Sequence, residues 1–163
     1  MKRYSQAFLK KHPNLRGKDL ETTRKACEKF KTIPVSVMNF VEGTRFQPTK
    51  HKLQRSPYKN LLRPKAGGMA FVFQAMGEQL HSIVDVTIAY PEGAKSFWQF
   101  LCGRVSEIKV SVKSYPLSRE LLGDYFNDLE YRERFHEWLN TLWEEKDRQI
   151  ERMLHSKTMA ADA

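Results

Sequence analysis

Cysteine is scarce: Cys27 and Cys102 are the only two, with neither a CxxC pair nor metal-ligand spacing. That argues against a disulfide scaffold or a zinc ribbon and leaves reduced thiols as the expectation. Long apolar runs are missing too; the longest, such as "MAFVF", are strand-sized or half a helix, far short of the roughly 18 residues that cross a bilayer. The opening "MKRYSQAFLKKHP" carries the charges of a secretory leader without an apolar stretch behind them, so it does not read as one. No internal repeat is visible. Acidic residues are sparse in the first part of the chain: residues 1–65 hold 17 Lys and Arg against 4 Asp and Glu. Residues 66–163 reverse the balance, 11 against 15, so the net +9 of the 163-residue chain is concentrated at one end. Such an amino half meets anions, whether nucleic acid, anionic lipid or a phosphorylated small molecule, or is simply a solvated face.

What is present is the composition of a folded domain, 40% hydrophobic and 12% aromatic. The basic opening, residues 2–11, ends at His12-Pro13, since proline disfavours helical geometry in the residue before it. Asp19 is a plausible N-cap for a helix carrying Leu20, Thr23, Cys27 and Phe30, closed by Pro34. "PVSVMNFV" is apolar on both parities, as a strand covered on both faces would be. A polar, basic loop follows over residues 46–63, with Lys50, Lys52, Arg55 and Lys59, and its length exceeds ordinary connections. "PKAGGMAFVFQAMGEQL" predicts a helix beginning just after Pro64, in which Gly67 and Gly68 are costly unless something packs closely there.

"HSIVDVTIAYP" reads as a second buried strand, and "SFWQFLCG" as a short helix stopped by Gly103. "IKVSVKS" alternates, with Ile108, Val110 and Val112 on one face and lysines and a serine on the other, as an edge or half-exposed strand would. Asn127 with Glu130 resembles a capping box opening a long final helix, whose stripe of Phe135, Trp138, Leu139, Leu142 and Trp143 belongs to a core. The tail "SKTMAADA" reads as disordered. Helices alternating with strands predict an α/β fold, helices packed on a largely parallel sheet, with ligands bound where loops leave the carboxyl ends of strands.

Glu42, Gly43, Thr44 and Arg45 stand at such a position. The Arg45 guanidinium matches phosphate oxygens two at a time, Gly43 lets the backbone approach a ligand, and Thr44 adds a hydroxyl. Glu42 can brace the guanidinium or accept from a substrate hydroxyl. An Arg–Glu pair bracing an ordinary turn is the plainer alternative.

"NFVEGTRF", a polar loop and then "SPYKNLLRPKAGG" are similar to the third and fourth sequence blocks of the glycerolipid acyltransferases, most of all the 1-acylglycerol-3-phosphate acyltransferase branch and its bacterial inner-membrane relatives. The third block is carried by residues 40–45, with Val41 where proline is usual, and the fourth by Pro64, Lys65, Ala66 and Gly67. The resemblance implies transfer of a fatty acyl group from acyl-CoA or acyl carrier protein, a co-substrate rather than a cofactor, to the free hydroxyl of a lysophospholipid such as 1-acylglycerol-3-phosphate. It assigns the acceptor's phosphate to Arg45, its cradle to Gly43 and Thr44, and the orienting of the site to Glu42. Pro64, Lys65 and Gly67 fall on the donor or accessory side, with Lys65 an extra cation or a mere surface lysine. No metal is implied. An anionic membrane surface is the expected partner of the loop lysines, on the cytoplasmic face of the inner membrane.

Catalysis in that family rests on a His, four residues, then Asp, in which the imidazole takes the acceptor's proton and the carboxylate fixes its tautomer. Five positions after His12, His51, His81, His136 and His155 stand Gly17, Ser56, Val86, Thr141 and Ala160, so this chain has no such pair. His81 and Asp85 come one residue short, and four strand steps would hold them about 13 Å apart. The chain thus resembles the C-terminal part of an acyltransferase domain over residues 1–146, with residues 147–163 the end of the last helix and the tail. A sheet without its first strands should expose an edge and apolar surface. The rival is a basic nucleic-acid-binding or regulatory module without catalysis. Against it stand the absence of zinc spacing or a helix-turn-helix signature, and aromatics placed mainly on apolar faces.

Overall fold

The computed structural model describes residues 34–93 and 95–156. The expected helix from Asp19, the basic opening, Cys27 and the tail lie outside the described residues. Among the described residues six regular elements follow in order: α1 (Pro48–Gln54), α2 (Ala66–Met76), β1 (Ser82–Ala89), α3 (Phe97–Leu101), β2 (Lys109–Pro116) and α4 (Leu129–His155). Single 3-10 turns occupy Gly77–Gln79 and Arg119–Leu121.

The core lies between α2 and α4. Met69, Ala70 and Phe73 of α2 face Tyr131, Phe135, Leu139 and Trp143 of α4, with Tyr58, Leu61 and Tyr125 closing the ends. Small residues on α2 let the two helices approach, and Phe73 meets Phe135 edge-on at 6.0 Å between ring centroids. The stripe expected on the last helix is therefore core. Its N-cap is Asp128, whose carboxylate accepts from the Tyr131 N–H at 3.0 Å, not the expected Asn127. Asn127 instead donates its amide to Asp124 at 2.7 Å, and Asn127 and Phe126 backbone N–H groups reach the same carboxylate. These hydrogen bonds, Asn127's first, hold Asp124 below its ordinary value.

Three expectations are corrected. Among the described residues the sheet is two-stranded and antiparallel, β1 beside β2, with Val86 opposite Val112; a parallel sheet is not shown. Residues 34–40 are irregular, with Met38 and Phe40 exposed, because a strand exists only by pairing and no described segment pairs with them. The basic loop contains a helix, α1, with Pro48 at its first turn, where the missing N–H costs nothing.

β2 alternates as read, but β1, expected to be buried, exposes every second residue, because the hairpin is turned polar side inward. Asp85 and Thr87 face α4, where Lys146 Nζ donates to Asp85 Oδ1 at 2.5 Å, to Thr87 Oγ1 at 2.9 Å and to the Val86 carbonyl at 3.0 Å. Val84, Val86, Ile88, Ile108, Val110 and Val112 make up the opposite face and are exposed. Gly103, at φ +70, ends α3 as expected.

Candidate functional site

Phe40 to Gly43 form a turn closed by the Gly43 N–H on the Phe40 carbonyl at 2.8 Å. Gly43 sits at φ +68, a region that costs an L-residue about 1–2 kcal/mol. Two hydrogen bonds then join this turn to the segment that leads into α2. The Lys65 N–H donates to the Val41 carbonyl at 2.8 Å, and the Leu62 N–H donates to Glu42 Oε1 at 3.0 Å. The two blocks seen in the sequence thus lie side by side. Burial pushes the Glu42 carboxyl above its ordinary value, partly offset by the Leu62 N–H and by the charge of Lys146. Glu42 is therefore a joint between the blocks, and no Glu42–Arg45 pair forms.

Two lysines converge on the turn. Lys50, in the first turn of α1, donates from Nζ to Thr44 Oγ1 at 2.6 Å. The Lys65 side chain lies against Gly43: a Cβ added there would come within 3.3 Å of its Cδ and Nζ. Arg45 is exposed. Among the described residues, Arg45, Lys50 and Lys65 have no carboxylate partner. Pro64 is half-buried between Arg63 and Lys65. Gly67 has open space where a Cβ would stand, so close packing does not explain it. A cavity lined by Glu120, Leu121, Arg134, Phe135 and Trp138 includes none of these residues.

The placement of α1 is fixed from its far end. Arg55 takes a left-handed conformation, φ 47, and its carbonyl accepts from Arg63 Nη2 at 2.9 Å. His51 Nε2 bonds the Tyr58 carbonyl at 2.6 Å. Beyond it, residues 58–62 are gripped by one face of α4. Asp147 accepts from the backbone N–H groups of Lys59 and Asn60, both at 2.8 Å. Glu151 accepts from Lys59 Nζ at 2.6 Å and from Asn60 Nδ2 at 2.7 Å, and those bonds hold it below its ordinary value. Trp143 Nε1 donates to the Leu62 carbonyl at 3.0 Å, in the interior. Positions 143, 147 and 151 recur once per helical turn, so one face of α4 sets the segment that carries the Leu62 N–H to Glu42.

Sequence reasoning placed Glu42, Gly43, Thr44 and Lys65 and gave no contact for Lys50 with Thr44, nor any part for Asp147 or Trp143. Proline at the first turn of a helix was the one signal that could have drawn Lys50 back toward the turn. The described histidines do other work. His136 meets the Tyr125 hydroxyl at 2.8 Å, His155 the Glu151 carbonyl at 2.7 Å, and Asp85 is held by Lys146 rather than by His81. Among the described residues no group of three or more His, Cys, Asp or Glu could hold a metal, and no helix is long and apolar enough to cross a membrane.

No protein-family model and no solved structure matches the chain. Two curated proteins are similar to it. One is 2-acyl-1-lysophosphatidylinositol acyltransferase of Saccharomyces cerevisiae, 28% identical over 141 residues, covering 79% of this chain and 35% of that protein. The other is lysocardiolipin acyltransferase 1 of Gallus gallus, 26% identical over 131 residues, covering 73% of this chain and 32% of that protein. The chain thus spans about a third of the length of these curated relatives. Both are acyltransferases of lysophospholipids by name, and the similarity supports the acyltransferase family for this chain.

Proposed function

We propose that this chain supplies the acceptor-phosphate site of a lysophospholipid acyltransferase. A fatty acyl group passes from acyl-CoA or acyl carrier protein to the free hydroxyl of an acceptor such as 1-acylglycerol-3-phosphate, whose phosphate lies against Gly43, Thr44 and Arg45. The observation that carries this reading is the convergence of Lys50 and Lys65 on the turn, beside an exposed Arg45, without a carboxylate to neutralise them. Three cations gathered on adjacent residues repel one another, and an anion with several oxygens is the ligand that offsets the repulsion. The lysophosphatidylinositol and lysocardiolipin in the relatives' names share with lysophosphatidate a phosphate on glycerol, so one cradle suits all three.

In the proposed reaction the acceptor oxygen attacks the thioester carbonyl, the carbon–oxygen bond forms, and the carrier's thiol leaves. A base must take the hydroxyl proton, and no His-x4-Asp pair exists in these 163 residues. This chain therefore holds the acceptor, with Pro64, Lys65 and Gly67 on the donor side, and the proton is taken elsewhere. The setting is an anionic membrane surface on the cytoplasmic side.

The test is a titration with short-chain lysophosphatidate and with the matching monoacylglycerol, which lacks the phosphate. Wild type should bind the first and ignore the second, and Arg45→Ala should weaken binding at least tenfold. Equal affinity for the two ligands, or an Arg45→Ala protein that binds like wild type, overturns the reading. Acylation by the chain alone should stay at background and should appear when a segment bearing His-x4-Asp is joined ahead of it.

A further inference from the structure

The connection between β1 and β2 carries a group of side chains that the acceptor site does not use. α3 shows Phe97, Trp98, Phe100 and Leu101 to solvent, at 69%, 73%, 53% and 57% exposure. This is a formed helix: Ser96 and Gln99 close a reciprocal capping box, with the Ser96 N–H on Gln99 Oε1 at 2.9 Å and the Gln99 N–H on Ser96 Oγ at 3.3 Å. Exposed cations stand on both sides, Lys95 before it and Arg104 after. The nearby acid Glu92 accepts a hydrogen bond from Ser106 at 2.6 Å, and Glu107 pairs with Lys109 at 3.7 Å.

Water is a poor neighbour for three aromatic rings and a leucine on five consecutive residues. The aliphatic hairpin face suits another layer of protein, being wholly β-branched. α3 differs in kind: large rings flanked by Lys and Arg are the composition of segments that settle at the junction of headgroups and acyl chains. The flanking cations complement anionic headgroups, as does the excess of Lys and Arg in residues 1–65.

We propose that α3 inserts into the interfacial zone of an anionic phospholipid bilayer, with Phe97, Trp98, Phe100 and Leu101 among the acyl chains and Lys95 and Arg104 at the headgroups. The proposal rests on the reading of this chain as a lipid acyltransferase domain, and it deepens that reading by naming the contact through which the domain reaches its substrate's membrane. Lipid acceptors are drawn from the bilayer, and a docked α3 would keep the domain at that surface during turnover.

The experiment uses the full chain and vesicles of phosphatidylcholine and phosphatidylserine in equal parts, with brominated acyl chains in half of the samples. Of the three tryptophans, Trp143 is buried and Trp138 packs on Phe73 and Phe135, so a lipid-dependent change in emission reports Trp98. Trp98 emission should shift to the blue on binding and be quenched by the brominated chains. Trp98→Phe should bind as wild type and lose the quench. A Phe97→Ser, Trp98→Ser double variant, altered only at exposed positions, should bind about tenfold or more weakly. Vesicle binding with Trp98 emission unchanged would assign attachment to the basic residues alone and overturn the proposal. So would no binding at all, or a Trp98 response to single-stranded RNA but not to vesicles. These vesicles contain no lysophospholipid and no acyl donor, so failure here leaves the acceptor-phosphate reading standing, and failure of lysophosphatidate binding leaves this result intact.

Discussion

Glu42 offers the most direct test of how the site is built, because two roles for one carboxylate predict opposite patterns. If it joins the blocks, Glu42→Ala removes the acceptor of the Leu62 N–H, on a residue with no exposed surface. An orphaned buried N–H costs about 1–3 kcal/mol. Taking about 2 kcal/mol, and a Tm shift of about 2–4 °C per kcal/mol in a chain of this size, the expected loss is about 4–8 °C. Glu42→Gln keeps an oxygen for that N–H and sheds the charge that burial penalises, so it should lie within about 0.5 kcal/mol of wild type. The pH dependence is a second reading of the same group. Its folded value is raised above 4.5, so its contribution is fully present below 4.5 and is lost as pH rises through the folded value. Glu42→Gln should therefore gain on wild type as pH climbs from 4.5 toward neutrality. Thermal unfolding of the three proteins across that range provides the measurement. If Gln is as damaging as Ala, the charge itself is required, as a brace for Arg45 would demand, and the joint is the wrong description.

Three further perturbations reach other parts of the same construction. Lys146→Met strands the Asp85 carboxylate beneath the hairpin and should cost about 3 kcal/mol in chemical denaturation, with much of it recovered when Asp85→Asn is added, since breaking one half of a buried pair is worse than removing both. Gly43→Ala should cost about 1–2 kcal/mol for the left-handed backbone. It should also weaken lysophosphatidate binding beyond that loss of stability, because the new methyl presses on Lys65. Asp147→Ala frees the backbone N–H groups of Lys59 and Asn60, and amide exchange should quicken at Lys59, Asn60 and Leu62 together; exchange confined to the first two would show that α4 does not set the position of Leu62.

Much of this was legible in the residues, and the misses share a cause. Periodicity reports which side chains stand in one row; it does not report what faces the row. The apolar content of β1 reads as a buried strand and the alternation of β2 as an edge, and neither tells which row faces the core. Lys146, some sixty residues on, draws Asp85 and Thr87 inward. Apolar residues on both parities of "PVSVMNFV" suggested a covered strand, yet pairing is supplied by a neighbour, and no described segment gives one. On α4 the apolar stripe is legible, while nothing in the sequence gives Asp147 or Glu151 a partner. They are the grip on residues 58–62.

That last miss bears on the chemistry. The local pattern Glu-Gly-Thr-Arg supplies the donors of the proposed anion site, but its register with the proline block comes from Leu62, whose carbonyl is held by Trp143 and whose neighbours are held by Asp147. A chain with the same four residues and no such helix would have the cations without the frame. The proposed acceptor site is therefore built by a turn, by a lysine in the first turn of α1, and by a helix more than eighty residues away; of these, only the turn announces itself as a motif.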